Sequence, residues 1–321
     1  MGTRRMVDAA MRPVLVFPGQ GAQAVGMGRD LAEALPEVRD LFEQADALLG
    51  IPLTQAMFEG PEAALVDTAV QQPALVLMSL AVLKAVEIKQ GRPLEMAAAA
   101  GLSLGEYAAL ASVGALTFES AIRLVRRRGQ LMQEAAQQVA GGMAVVLGLD
   151  EAKASAACAQ AAQDSGGVVS PCNFNGGGQI VIGGAGPALA RAMELCKAAG
   201  ARRAMKLPVS GAFHTALMEP AARQFREVLA QTRFERGRVP VYANVSAQPV
   251  QEPDEIRESL ERQLTSPVRW EQTIQNLVAA GHTRFLELGA GTTLTNLIRR
   301  IAPDAQIRNV GTWAEVQAFA G

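Results

Sequence analysis

MAAAAGLSLGEYAAL, residues 96–110, has two readings that lead to different folds. Ala is the strongest helix former and a poor strand former, so propensity alone makes the stretch one helix. Gly101 and Gly105 stand against that, because each costs a helix interior roughly 1 kcal/mol relative to Ala. A strand that ends at Gly101 and turns sharply into a helix needs both: the first gives the bend room, and the second lets the helix pack close to the strand. Under this second reading Ser103 of G-x-S-x-G sits at the turn. The helix from about Leu104 then aims its N-terminal N–H groups at any charge that develops beside the hydroxyl.

The rest of the chain fits a strand-turn-helix layer. Short apolar runs (VLVFP, 14–18; MAAAAG, 96–101) alternate with longer amphipathic text, the mark of an α/β architecture with a mostly parallel sheet. The rhythm changes at Gly141-Gly142. From there the segments MAVVLGL, DEAKASAACAQAAQDSG, VVSPCNF, QIVIGG, PALARAMELCKAAG and ARRAMKLPVS read as strand, helix, strand, strand, helix, strand. That βαββαβ order is the split, ferredoxin-like unit. After residue 208 the first rhythm returns, with a helix from about Thr215, a strand PVYANV, two further helices, and TRFLELG leading into LTNLIRRI. We therefore expect a large α/β domain in two parts, residues 1–140 and 209–321, with a ferredoxin-like small domain, 141–208, inserted between them.

Composition excludes several functions. The 321 residues are 49% hydrophobic, enough for a large core, and the net charge of −1 with 4% aromatic residues gives no global pull toward nucleic acid or anionic lipid. The three cysteines, Cys158, Cys172 and Cys196, form no C-x-x-C pair and suit reduced thiols in the cytoplasm. The start, MGTRRMVDAAMR, precedes only a short apolar run and reads as a disordered or appended lead rather than a signal peptide or membrane anchor.

A serine nucleophile needs a base, and the chain has two histidines. His282 lies after a helix and before a strand, at the edge of a parallel sheet opposite the one where ligands bind. His214 follows the strand-like KLPVS and a small turn, on the same edge as Ser103, which makes it the candidate base. In TFESAIRLVRRRGQLMQEAAQQ, Thr117 caps an amphipathic helix whose inward stripe runs Phe118, Ala121, Val125, Arg128, Met132, Ala135. A guanidinium in that stripe needs an anion. Glu106 is one candidate partner, and the carboxylate of a substrate, taken bidentately, is the other.

FPGQGAQAVGMG (17–28) fits the loose dinucleotide fingerprint G-x-G-x-x-[GA], the main rival reading. Its context argues against that reading. Pro18 abuts the first Gly, and no second strand ending in an acid follows about 20 residues on. The loop can instead supply a backbone N–H to an oxyanion.

Six motifs in order, FPGQGAQ, GLSLGEYAAL, the Arg of RRRGQLMQ, GAFHTALMEP, RQLTSPVRW and LELGAGTTLTNLIRRI, resemble the malonyl-CoA:acyl carrier protein transacylases over roughly residues 13–301. The resemblance implies a hydrolase-like large domain, Ser103 as the acylated nucleophile, His214 as its base and Arg128 as partner of the malonyl carboxylate. It implies further that the N–H groups of Gln20 and Leu104 form the oxyanion hole and that a main-chain carbonyl at Gln263, rather than an Asp, orients the histidine. Many members have His before the serine, where this chain has Leu102. Phe213, before the catalytic His, matches the residue that related polyketide acyltransferases use when they choose malonyl over methylmalonyl. The implied reaction is ping-pong transfer from malonyl-CoA, a coenzyme A thioester, to an acyl carrier protein in fatty acid synthesis, with no metal or bound cofactor. The alternatives kept open are a discrete polyketide-type acyltransferase, a malonyl-CoA thioesterase, and a non-catalytic module that docks an acidic carrier through Arg202, Arg203, Lys206, Arg299 and Arg300.

Overall fold

The computed structural model describes residues 12–209 and 211–319. The lead, up to Met11, lies outside the described residues. The first strand, β1 (Val14–Phe17), pairs in parallel with β2 (Ala98–Gly101), Val14 opposite Ala98 and Phe17 opposite Gly101. Alternate residues of the pair face different cores. Leu15, Phe17 and Ala99 pack among the helices of one face, whereas Val14, Val16, Ala98 and Ala100 pack with Trp270, Ile274 and Leu294 on the other. Both faces being covered explains why these strands are continuously apolar rather than alternating.

Between the second and third sheet strands of this layer comes a separate four-stranded sheet: β3 (Gly141–Leu147), β4 (Val169–Gly176), β5 (Gln179–Ala185) and β6 (Arg203–Lys206). Its order is β4-β5-β3-β6 with every pair antiparallel, the order of a split βαββαβ unit. Ala144 and Val146 point at the helices Glu151–Ser165 and Gly186–Ala198, and form a second core with Ile180, Ile182 and Leu189. Met143, Val145 and Val181, one step out of phase, line a cleft that also contains Ser103. Period-two alternation thus makes one face of this sheet a core and the other a wall. The wall is tied to the large layer through backbone: Val268 N–H donates to Cys172 O at 2.8 Å and Phe174 N–H to Val268 O at 2.9 Å.

The large sheet is completed by β7 (Val241–Tyr242), β8 (Pro249–Val250), β9 (Arg284–Leu288) and β10 (Gln306–Val310), in the order β10-β9-β1-β2-β7-β8. Only β8 runs antiparallel. β10 and the helix Trp313–Ala318 were not foreseen, and PVYANV yields just two strand residues before it turns. Thr215 caps a short 3-10 turn, Ala216–Met218, and the helix proper starts at Glu219. The 23-residue helix Thr68–Gln90 is apolar and long enough to cross a membrane, but 89% of its most apolar window is buried inside the protein. It is the central helix of the larger core.

The turn after β2 decides the position of everything downstream. A Cβ on Gly105 would fall 2.0 Å from Phe17 O, and one on Gly101 would fall 1.9 Å from Gly105 C, so at both places only hydrogen fits. The strand-turn-helix reading of residues 96–110 therefore holds, and the all-helix reading does not. Gly105→Ala is expected to destabilise the fold by at least the ~1–3 kcal/mol of an overpacked core, and urea denaturation compared with Ala109→Gly, which opens space in the same helix, checks it.

Candidate active site

Ser103 lies between β2 and the helix Gly105–Ser112 with φ 52°, a left-handed conformation that a non-glycine residue keeps only when its surroundings hold it. Asn244, just after β7, holds it from one side: its Oδ1 accepts the Ser103 N–H at 2.6 Å and its Nδ2 donates to Gly101 O at 2.7 Å. Gln263 holds it from the other, donating Nε2 to Ser103 O at 3.1 Å. The bend is thus clamped at its amide and at its carbonyl by side chains from distant segments.

The Ser103 hydroxyl lies 2.7 Å from His214 Nε2. On the other side of the ring, His214 Nδ1 faces Gln263 O at 2.9 Å and Ser266 O at 3.2 Å. Two carbonyls can only accept, so Nδ1 carries the proton and Nε2 presents a lone pair to the serine. His214 is buried and itself left-handed, φ 60°. Burial first, then the nearby Arg128 charge, draws its pKa down to about 4, with the two carbonyls pulling the other way.

Arg128 is fully buried, as its place in the inward stripe requires. Its Nη2 donates to Ser103 Oγ at 3.1 Å and to Gln263 Oε1 at 3.0 Å, its Nη1 donates to Gln72 Oε1 at 2.9 Å, and it stacks 5.4 Å from the Tyr107 ring centroid. Its Nε has no partner. Glu106 does not pair with it directly. That carboxylate instead accepts from Gln263 Nε2 at 2.7 Å and from Asn244 N–H at 3.2 Å, both on Oε2. Burial pushes its pKa up to about 7, against the pull of those two bonds and of the Arg128 charge.

The cleft over Ser103, about 310 Å³, is walled by Gln20, Leu102, Phe213, His214, Thr293 and Leu297 together with the open face of the small sheet. The Gln20 side chain bonds the Gln71 side chain. Among the described residues neither the Gln20 nor the Leu104 N–H has a hydrogen-bond partner. Phe213 is buried beside His214 in the cleft wall. His282 stands in the loop before β9, on the opposite sheet edge, with its Nδ1 unpartnered.

The seven residues singled out in the sequence, Gln20, Ser103, Leu104, Arg128, Phe213, His214 and Gln263, all meet at this cleft or directly beneath it. Three that matter were missed. Asn244, in PVYANV, and Gln72 carried no signal of their own and act only through long-range contacts. Glu287 is fully buried in β9, where it accepts the N–H groups of Leu294 and Thr295 at 2.9 and 2.7 Å and so caps the helix that carries Thr293 and Leu297. An acid inside the apolar run RFLEL was a visible signal for it.

An acyl transferase domain model matches residues 14–315. The chain belongs to the acyl transferase family. It is 44% identical over 286 residues, 89% of this chain and 91% of the relative, to the malonyl CoA-acyl carrier protein transacylase of Escherichia coli strain K12. The corresponding protein of Bacillus subtilis strain 168 is 43% identical over 89% of each chain. Among solved structures, an acyl carrier protein S-malonyltransferase from Vibrio cholerae superposes with TM-score 0.91 at 43% identity, covering 96% of this chain and 99% of that one. A malonyl-transacylase in complex with its type II PKS acyl-carrier protein superposes equally well, TM-score 0.91 at 42% identity, covering 96% and 98%. The hydrolase-like α/β fold read from the sequence is thus the fold of this acyl transferase family.

The buried imidazole of this acyl transferase has a measurable consequence. Its folded pKa, about 4, lies below the ordinary 6.5, so between those values the unfolded chain binds more protons than the folded one. The stability contributed by the neutral ring is complete above pH 6.5 and is lost as pH falls toward 4. In an NMR titration the His214 ring protons are expected to shift with a midpoint well under that of an unperturbed histidine.

Proposed function

We propose that the protein moves the malonyl group of malonyl-CoA to the phosphopantetheine thiol of an acyl carrier protein, through a malonyl ester on Ser103. The observation that carries this reading is the 2.7 Å contact of Ser103 Oγ with an Nε2 that is held bare by carbonyls on the far side of its ring. Identity above 40% to transacylases along most of both chains supports the substrates.

In the first half His214 Nε2 takes the Ser103 proton as Oγ attacks the thioester carbonyl. The N–H groups of Gln20 and Leu104 receive the oxyanion, the second at the start of a helix whose dipole favours negative charge. The C–S bond breaks, the imidazolium returns its proton to sulfur, and coenzyme A leaves. In the second half the carrier thiol gives its proton to His214 and attacks the ester, and Ser103 leaves as the hydroxyl. Atoms and protons balance without a metal or bound cofactor. Arg128 takes the malonyl carboxylate: its charge is buried, has no carboxylate in direct contact, and its Nε–H has no partner. Phe213 crowds the cleft beside His214, where a methyl on the α-carbon would lie, and disfavours methylmalonyl by the ~1–3 kcal/mol that one methyl carries.

The carrier docks across the cleft mouth. Arg202, Arg203 and Lys206 are exposed next to the lining residues Leu207 and Val209, and Arg299 and Arg300 are exposed on the helix that carries Leu297. An acidic partner suits these cations. Fatty acid synthesis in the cytoplasm is the setting we assign, in keeping with three buried free thiols.

Intact mass spectrometry after mixing with malonyl-CoA is expected to show one malonyl adduct on Ser103, discharged by carrier protein. Ser103→Ala should lower turnover by roughly 10⁴ to 10⁶, and a malonyl adduct persisting in that variant would refute the assignment. Arg128→Ala should reduce kcat/KM for malonyl far more than for acetyl; equal losses would take the carboxylate role from Arg128. Acylation should stay fast down to about pH 5, since the base titrates near 4 rather than at 6.5.

A further inference from the structure

The reaction as written uses Gln263 only through its main-chain carbonyl, yet its side chain is the most connected polar group in the site. Its Nε2 donates to Ser103 O and to Glu106 Oε2, while its Oε1 accepts from Arg128 Nη2 at 3.0 Å and lies 3.4 Å from the Tyr107 hydroxyl. An amide has two chemically opposite ends, and here both acceptors stand at the nitrogen end and both donors at the oxygen end. Rotated by half a turn, it would press NH₂ against a guanidinium and oxygen against a carboxylate. The rotation in place is therefore what lets Arg128 be seated at all.

Glu106 determines that rotation. It is buried, one turn beyond Ser103 on the helix that starts at Gly105, and faces no cation directly. Its Oε2 alone receives both the Gln263 Nε2–H and the Asn244 N–H. Asn244 in turn holds the amide of Ser103, so one carboxylate oxygen stands behind both clamps of the strained bend. Oε2 remains an acceptor whether the carboxyl is ionised or carries a proton on Oε1.

We infer that Glu106 is a positioning residue for acyl-group selection: by accepting from Gln263 it fixes the amide so that Gln263 Oε1, with Gln72 Oε1, aims the Arg128 fork at a substrate carboxylate. The inference rests on Ser103 as the acylated residue and Arg128 as the carboxylate partner. Its signature differs from that of a scaffold residue. Disturbing the Ser103 clamp or the His214 carbonyl slows every acyl group alike, whereas mis-seating Arg128 slows acyl groups that carry a carboxylate more than those that do not.

The experiment measures acyl-enzyme formation with malonyl-CoA and acetyl-CoA in Glu106→Met, Glu106→Gln, Gln263→Met and the Glu106→Met/Gln263→Met double variant, with circular dichroism as a check of folding. Glu106→Met, similar in length and without an oxygen acceptor, is expected to lower the malonyl-to-acetyl ratio of kcat/KM by about tenfold, the effect of one well-placed hydrogen bond on a charged group. Glu106→Gln, which keeps an oxygen for Gln263 Nε2, should hold the ratio within about threefold of wild type. Gln263→Met also frees Ser103 O and slows both acyl groups, but it should lower the ratio as Glu106→Met does, and the double variant should lower the ratio no further, because both break the same Glu106–Gln263–Arg128 link. Equal slowing of malonyl and acetyl in Glu106→Met, or losses that multiply in the double variant, would overturn the inference. If Glu106→Met does not fold, the ratio in Gln263→Met decides alone, and an unchanged ratio rejects it. Wild-type protein that formed no adduct on Ser103 would instead undo the underlying function.

Discussion

The site depends on a peptide bend that the backbone would not adopt unaided. Ser103 and His214 both occupy left-handed conformations, each of which costs an ordinary residue on the order of 1–2 kcal/mol. What holds Ser103 is shape and hydrogen bonding together. Two glycines let the helix Gly105–Ser112 sit on the backbone of β1, and Asn244 and Gln263 grip the amide and the carbonyl of the serine. The bend sets Oγ beside His214 Nε2 and leaves the Leu104 amide, at the N-cap of the helix, without a partner among the described residues. In the proposed mechanism, nucleophile and oxyanion donor are thus two outcomes of one local constraint.

Around this bend the polar groups form a closed set rather than a chain of independent pairs. Glu106, Gln263, Asn244, Arg128 and Gln72 are all buried, and each meets another member of the set. Burial makes such a set rigid when its members are satisfied and damaging when one is not. The exception among them is Arg128 Nε, which has no partner in a set otherwise so well connected. An unspent donor on a desolvated cation is strong demand for an anion.

What the sequence made legible follows from where the signals lie. Gly101 and Gly105 could be read because steric demand at a turn acts over five residues, and Arg128 because one charge breaks a stripe of period 3.6. The βαββαβ order showed in the alternation of apolar runs. Asn244 and Gln72 could not be read, since a polar amide in a loop or an apolar helix gains meaning only from a partner over a hundred or some fifty residues away. The candidate pairing of Glu106 with Arg128 had the right neighbourhood but the wrong contact, because Gln263 stands between them and bonds both. β10 was missed for a different reason: QIRNV at the sheet edge is half exposed and carries three polar residues in five, so no apolar run marks it.

The way His214 is oriented follows from the company it keeps. A serine nucleophile commonly has its histidine held by a carboxylate, which fixes the tautomer and stabilises the imidazolium. Here two carbonyls do the first task and leave the second undone. The reason lies one residue's width away, in a guanidinium whose Nη2 is 3.1 Å from the serine oxygen. A carboxylate on Nδ1 would compete for that cation and would repel the carboxylate of an incoming malonyl group, and at short range in a buried site such like-charge contact outweighs a neutral hydrogen bond. Arg128 already lowers the imidazole's affinity for protons, so the positive charge that forms on His214 during each transfer is opposed rather than assisted until the substrate carboxylate arrives to offset the guanidinium. Acyl groups without a carboxylate bring no such offset. In the proposed mechanism, selection for malonyl therefore rests on the electrostatics of the base as well as on the grip on the substrate.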